Sequence, residues 1–406
     1  MVRKLSKLVC IVLMIAMLAI VMMNNSFAQK CELDTCNIKN PKCRSSYEFT
    51  IHKLNKLYND LLNDGKKFLR GIDVYNDDEV LELYQYVYFG NSPDIDESRG
   101  NPIKWRVLAT TANDYQNTPA LFMVSEQAIC VKNMKDMDNA NKLLDKMLLD
   151  SYFTMQEQDS ILQTSNLDNV MEQKLFLLSE KEVTSRKYGF WQGQNRNVLR
   201  TLKVIDEYGE EYNVEWWLRD VKNRRNKNVR SMVGEFGEIT QRTYGEGAIR
   251  IALNIPFSQI ICTHHARKAG CCEKISGKLD KINSNEVNQF KLTILDATRN
   301  NFAVEENEIT AGAGELVQLK YSNATPKMSD KEEYISGVIK DKNGRELYYG
   351  KLEYVDTSGE GTVCVDIPND IKQGEYRLII MNEQENGIMQ TNYAGYDVVN
   401  LKIIKR

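Results

Sequence analysis

Histidine is scarce: His52, His264 and His265 are the three in 406 residues. None falls in residues 80–257, so a Ser-His-Asp arrangement there would need a histidine from elsewhere in the chain. The strings G-x-S-x-G and H-E-x-x-H are missing, which leaves no motif for a nucleophile elbow or a helical zinc protease. Asp94, Asp96 and Glu97 lie close together but lack EF-hand spacing, and read as a solvated loop. Positive charge is not in excess. The chain carries a net charge of −3, which argues against nucleic-acid binding, a function that wants a basic face. Proline is sparse at 7 while tyrosine reaches 20, a balance that suggests sheets and not a disordered stalk. Long apolar runs are limited to residues 8–23, shorter than the ~20 residues a spanning helix needs.

That run has a context. Arg3, Lys4 and Lys7 precede it, and Ser26-Phe27-Ala28 follows. A basic region, an apolar region and a small-x-small site mark a secretory signal peptide over residues 1–28, with an uncleaved anchor as the alternative. The mature chain is expected to begin at Gln29 and to work secreted or at the cell surface, with no membrane span once the signal is removed. Loss of Arg3, Lys4 and Lys7 takes the net charge from −3 to −6.

Of 9 cysteines, removal of Cys10 leaves an even number in an oxidising compartment. Cys31, Cys36, Cys43, Cys262, Cys271 and Cys272 are disulfide candidates, with Cys262 expected to bond Cys271 or Cys272 across a short loop. Adjacent Cys271 and Cys272 should take different partners, because bridge geometry disfavours bonding neighbours. Cys262, His264, His265 and Cys271 form an alternative zinc-type set, although the regular CxxC pair of structural zinc is missing. No metal and no cofactor is expected.

Periodicity divides the rest. Residues 29–79 hold the Cys-rich segment and an amphipathic helix, with Tyr47, Ile51, Leu54, Tyr58, Leu61 and Leu62 on one face. Residues 80–257 mix short strands (83–89, 103–109, 120–124) with a near-helical stretch, 139–162, and read as an α+β domain. Residues 258–288 read as a Cys-containing linker. Residues 289–406 read as an all-β immunoglobulin-like sandwich, with strands at 290–295, 316–321, 334–340, 346–352, 361–367, 375–381 and 397–404. Asn343-Gly344 between two of them is a hairpin signal.

The middle segment carries ordered motifs: Pro102-Ile103-Lys104-Trp105-Arg106-Val107-Leu108, Phe122-Met123-Val124-Ser125, Lys174-Leu175-Phe176-Leu177-Leu178-Ser179-Glu180, Trp216-Trp217-Leu218-Arg219 and Gly247-Ala248-Ile249-Arg250-Ile251-Ala252-Leu253. In order and content they resemble the bacterial domain-of-unknown-function family 6273, over residues about 82–257. That family is frequent in secreted Firmicutes proteins. Leu292-Thr293-Ile294, Tyr349-Gly350-Lys351 and Gly374-Glu375-Tyr376-Arg377-Leu378 resemble the β module that often follows it. The tail motifs, a Trp-rich strand and then an Arg-containing strand, are similar to those of C-type-lectin-like and sulfatase-modifying-enzyme-like folds, an analogy of fold that implies no activity. Asp220 stands where the family has a serine, and Ile251 where it has a proline.

Residues 219–230 hold six basic side chains behind two tryptophans. Guanidinium groups fork onto carboxylate or phosphate, and indole faces stack on sugars. Trp216, Trp217, Arg219, Arg224 and Arg225 are therefore the candidate ligand-binding residues, for an anionic glycan or cell-wall polymer. One of the two tryptophans is expected in the core and the other exposed, because neighbours on a strand face opposite sides. No catalytic residue is assigned. The functional expectation is a non-enzymatic, secreted or cell-surface modular protein for glycan or cell-wall binding or adhesion. An extracellular enzyme acting on glycans and a structural spacer without ligand are the alternatives.

Overall fold

The computed structural model describes residues 85–92, 101–113, 118–133, 144–149, 152–165, 172–190, 200–205, 211–224, 227–266, 275–282, 289–327 and 331–405. The expected signal peptide, the helix after Tyr47 and the cysteines Cys31, Cys36, Cys43, Cys271 and Cys272 lie outside them. The described residues are mostly strand. Helices among them are short, as in Met155–Ser160 and Glu180–Val183. The stretch 139–162 holds a wide helical turn at Leu144–Leu149, and Thr154 then caps Met155–Ser160 through a capping box with Glu157.

One large sheet runs through the middle and C-terminal parts. Its path is Ala252–Pro256, Pro119–Ser125, Asn101–Thr111, Tyr86–Ser92, Gln289–Leu295, Asn392–Ile404, Gly374–Glu385, Glu332–Lys340, Glu346–Tyr354 and Asp280–Lys281. The joint is the Gln289–Leu295 strand. It pairs in parallel with Tyr86–Ser92 through Val87↔Phe290, and in parallel with Asn392–Ile404 through Ile294↔Tyr393. Along its other edge runs Ile260–His265, antiparallel, with Thr263↔Leu292 in register. The segment expected as a linker thus contains a sheet strand. Its apolar Ile260-Ile261-Cys262 start, buried throughout, is why it packs.

The C-terminal part has the alternation of a half-buried surface. In Leu316–Ser322 and Gly361–Asp366, the residues Leu319, Tyr321, Val363 and Val365 point inward. They meet Ile335, Ile339, Leu378, Ile380, Val399 and Leu401 across a β-sandwich core. Gly374–Glu385 begins in alternation and then becomes buried on both faces. The change has a cause: Ile261 and Cys262 pack on Val338, Tyr349, Ile379 and Met381, covering the sheet's second face. Gly350 in the Tyr349-Gly350-Lys351 motif faces the sandwich core instead, and allows the segment at Leu279 a close approach, since a Cβ would lie 1.9 Å from the Lys278 carbonyl oxygen.

The middle part stacks a five-stranded sheet against the large one. Its order is Ile239–Arg242, Lys227–Val233, Trp216–Arg224, Glu246–Ile249 and Cys130–Asn133. Two apolar clusters flank it, one including Trp105, Phe153, Trp217, Met232 and Ile249, the other Phe122, Phe176, Phe190, Trp216 and Leu218.

Candidate functional site

The tryptophans do face opposite sides of their strand, and both sides are filled. Trp216 and Trp217 are each 0% exposed. Trp216 Nε1 donates to the Arg200 carbonyl at 3.0 Å and Trp217 Nε1 to the Lys132 carbonyl at 2.9 Å. The expectation of an exposed indole is corrected: a strand between two apolar clusters has no wet face. Gly247 belongs to this packing, because a Cβ there would meet Met232 Cε at 2.6 Å and Trp217 Nε1 at 2.9 Å.

Arg219 is likewise turned inward. Its Nη1 donates to Glu182 Oε2 at 2.6 Å and its Nη2 to Glu182 Oε1 at 3.0 Å, a two-pronged fork. Nη1 also reaches the Leu177 carbonyl at 2.9 Å. The Ser179-x-x-Glu182 spacing places this carboxylate: Ser179 caps Glu180–Val183 and Glu182 returns the capping bond. Asn113 Nδ2 donates to Glu182 Oε1 at 2.6 Å. Asp220, where the resembled family has serine, accepts from the Glu180 backbone N–H at 2.6 Å, so it holds the start of the same helix. Lys222 pairs with Glu180 at 2.7 Å. Arg230 is buried and donates to the Leu218 carbonyl at 3.2 Å.

A second ionic knot joins the first and last motifs. Arg106 Nη2 lies 2.6 Å from Glu126 Oε1, and wholly buried Arg250 lies 3.5 Å from Glu126 Oε2. Arg250 Nε donates to the Ser125 carbonyl at 2.8 Å, and its guanidinium sits 5.1 Å from the Trp216 ring centroid. Burial works to raise the Glu126 carboxyl, but Arg106, with Arg250 and Lys104 beside it, holds it below the usual carboxylate range. Trp105 Nε1 closes on the Phe89 carbonyl at 2.7 Å. The arginines, tryptophans and serines of the five motifs are thus the polar frame of the interior.

Of the remaining candidates, Arg224 ends the Trp216–Arg224 strand, opposite Lys227 in register, and Arg225 lies outside the described residues. His264 and His265 are neighbours on one strand, so they leave it on opposite sides. The alternative zinc set is divided by that geometry, and among the described residues no group of three or more potential ligands could hold a metal ion. Cys262 is a buried thiol with its sulfur 3.4 Å from His264 Nε2. Burial first, then the Glu383 and Glu346 charges, push that thiol well above its ordinary range, which disfavours the thiolate. The same His264 nitrogen is 3.2 Å from Glu383. A relay needs base and orienter on different ring nitrogens.

Sequence reasoning missed the cluster around Glu383. Its members, His264, Thr293, Tyr349 and Asn392, come from distant strands, and only the pairing register brings them together.

A mostly β protein whose two parts share one large sheet is the class the fold defines. The family model described as Domain of unknown function (DUF6273) matches residues 137–257. The match takes in the Lys174, Trp216 and Gly247 motifs and starts after the Pro102 and Phe122 motifs. No curated protein matches the chain. Among solved structures, a type I cohesin–dockerin complex from Clostridium thermocellum is similar over 26% of this chain and 100% of that chain, at 11% identity and a TM-score of 0.14. Likeness at that level carries no argument. Among the described residues no helix is long and apolar enough to cross a membrane.

Proposed function

We propose that this chain is a secreted or cell-surface modular protein that acts by adhesion and not by catalysis, with an anionic glycan or cell-wall polymer as partner. Under this reading the middle part serves as a lectin-like module and the C-terminal sandwich as an immunoglobulin-like one. The observation that carries it is the division of charge along the Trp216–Arg224 and Lys227–Val233 hairpin. Arg219, Lys222 and Arg230 are engaged with internal carboxylates and carbonyls. The strands close at Arg224↔Lys227, so Arg224, Arg225 and Lys227 remain grouped in sequence at the connection. Exposed cations attract an anionic polymer, and salt screens them over about 8 Å at physiological strength.

The test is retention of the purified chain on anionic cell-wall polymer across a salt series. Wild type is expected to bind at low salt and release as salt rises. Arg224→Glu with Arg225→Glu is expected to abolish retention with thermal unfolding unchanged. The burial of both tryptophans favours a second reading, a spacer without ligand. Unchanged retention in the double variant, or none in wild type at low salt, would put that reading first.

A further inference from the structure

Glu383 is 0% exposed, and four side chains converge on its carboxylate. Thr293 Oγ1 donates to Oε1 at 2.7 Å, Asn392 Nδ2 to Oε1 at 2.9 Å and Tyr349 O–H to Oε2 at 2.8 Å. His264 Nε2 is 3.2 Å from Oε1. Thr293 gives its single hydroxyl hydrogen to Glu383, so in the 2.7 Å contact between His264 Nε2 and Thr293 Oγ1 the histidine donates. The donors sit on Ile260–His265, Gln289–Leu295, Glu346–Tyr354 and Asn392–Ile404, and Glu383 itself on Gly374–Glu385. Gln289–Leu295 is the strand that joins the middle part to the sandwich, and Ile260–His265 is the strand laid over the sandwich face.

We propose that Glu383 is an acid-operated latch: its ionised carboxylate closes the junction between the two parts, and its protonation loosens Ile260–His265 and Gln289–Leu295. The stoichiometry of donors and acceptors carries this. Thr293, Asn392 and Tyr349 each donate to the ionised carboxylate, and His264 holds Thr293 in that role by donating to its oxygen. Protonation puts a hydrogen on an oxygen that already accepts from one of these donors, so a buried hydrogen is left facing a donor where water does not reach. Burial opposes the charge on Glu383. His264, by charge and hydrogen bond, then Asn392 and Lys351, outweigh it and hold the carboxyl well below its ordinary 4.5.

A depressed value fixes the direction of the linkage. The contribution of Glu383 is complete above the unfolded value, about 4.5, and is lost as pH falls through the folded one. Glu346, bonded to Thr263 and paired with Lys340, runs the other way. Burial raises its carboxyl, so acid relieves it before it reaches Glu383. Lys340, Lys351 and Lys291 are the basic groups packed around it, with the Cys262 thiol and the Tyr349 hydroxyl beside them. Glu385, held between Lys291 and Lys351, completes the ionisable groups around the latch.

Hydrogen exchange by mass spectrometry on the full chain, from pH 7 to pH 3 and corrected for intrinsic rates, tests the latch. Protection in peptides covering residues 260–265 and 289–295 is expected to fall at least tenfold below pH 4.5. Peptides covering 316–322 and 361–366, in the outer sandwich sheet, should change less. In Glu383→Gln the two junction strands should already exchange fast at pH 7, with no acid step. Tyr349→Phe removes one donor and should shrink the step. If Glu383→Gln does not fold, the wild-type profile and Tyr349→Phe decide. Equal loss of protection in junction and outer sheet, or a wild-type acid step retained in either variant, would overturn the latch.

Discussion

Arg219→Ala will destabilise the protein by about 3–5 kcal/mol, the range for removing one partner of a buried ion pair. The side chains of Arg219 and Glu182 are 12% and 5% exposed, so the abandoned carboxylate stays largely out of water. Asn113 would still donate to it, and one amide does not replace a guanidinium fork. Lys222→Ala is the contrast. Its pair with Glu180 is 42% and 26% exposed, and the loss should be under about 1 kcal/mol. Denaturant unfolding of both variants checks the difference. A combined Arg219→Ala and Glu182→Ala variant should lose less than the sum of its parts, because the second change removes the stranded charge. Equal, small losses for Arg219→Ala and Lys222→Ala would show that the fork is not the interior pair described here.

The tryptophans carry the second large effect. Trp216→Ala and Trp217→Ala should each cost about 3–5 kcal/mol, the usual cost of deleting a large buried ring. They act on different clusters. Trp216 supports Phe122, Phe176 and Phe190, whereas Trp217 supports Trp105, Phe153 and Met232. An indole that served as an exposed stacking platform would be replaced with little loss of stability. Chemical unfolding of the two single variants decides, and a cost below about 1 kcal/mol for either ring would restore a ligand role for that position.

Much of the strand pattern was legible in the sequence, because period two and β-branched runs survive whatever the tertiary context. The expected strands at 316–321, 334–340 and 361–367 fall within about two residues of Leu316–Ser322, Glu332–Lys340 and Gly361–Asp366. Asn343-Gly344 did mark a turn: Gly344 has φ 81° and its N–H bonds the Asp341 carbonyl at 2.9 Å. The joint between the two parts was not legible. Parallel pairing of Tyr86–Ser92 with Gln289–Leu295 connects residues about 200 apart, and local periodicity holds no record of it. The same blindness affected Trp216, Trp217 and Arg219. Alternation told which faces they leave from, and only packing told that both faces are covered. Glu182 and Asp220 could have been found. A capping-box spacing at Ser179 and an arginine in a motif of buried tryptophans are sequence signals of a helix start and an interior charge in need of a partner.

The continuity of the large sheet is the foundation of the account, since the internal frame of the motif residues and the latch at Glu383 both depend on it. All four tryptophans, Trp105, Trp191, Trp216 and Trp217, precede the Gln289–Leu295 joint, while the sandwich strands follow it. Denaturant unfolding at pH 7 followed at once by tryptophan fluorescence and by far-ultraviolet circular dichroism therefore reads the middle part alone in the first signal and the strands of both parts in the second. A sheet shared through Val87↔Phe290 and Ile294↔Tyr393 predicts coincident transitions with one midpoint. Two transitions, with part of the dichroism persisting after the tryptophan signal is lost, would contradict it.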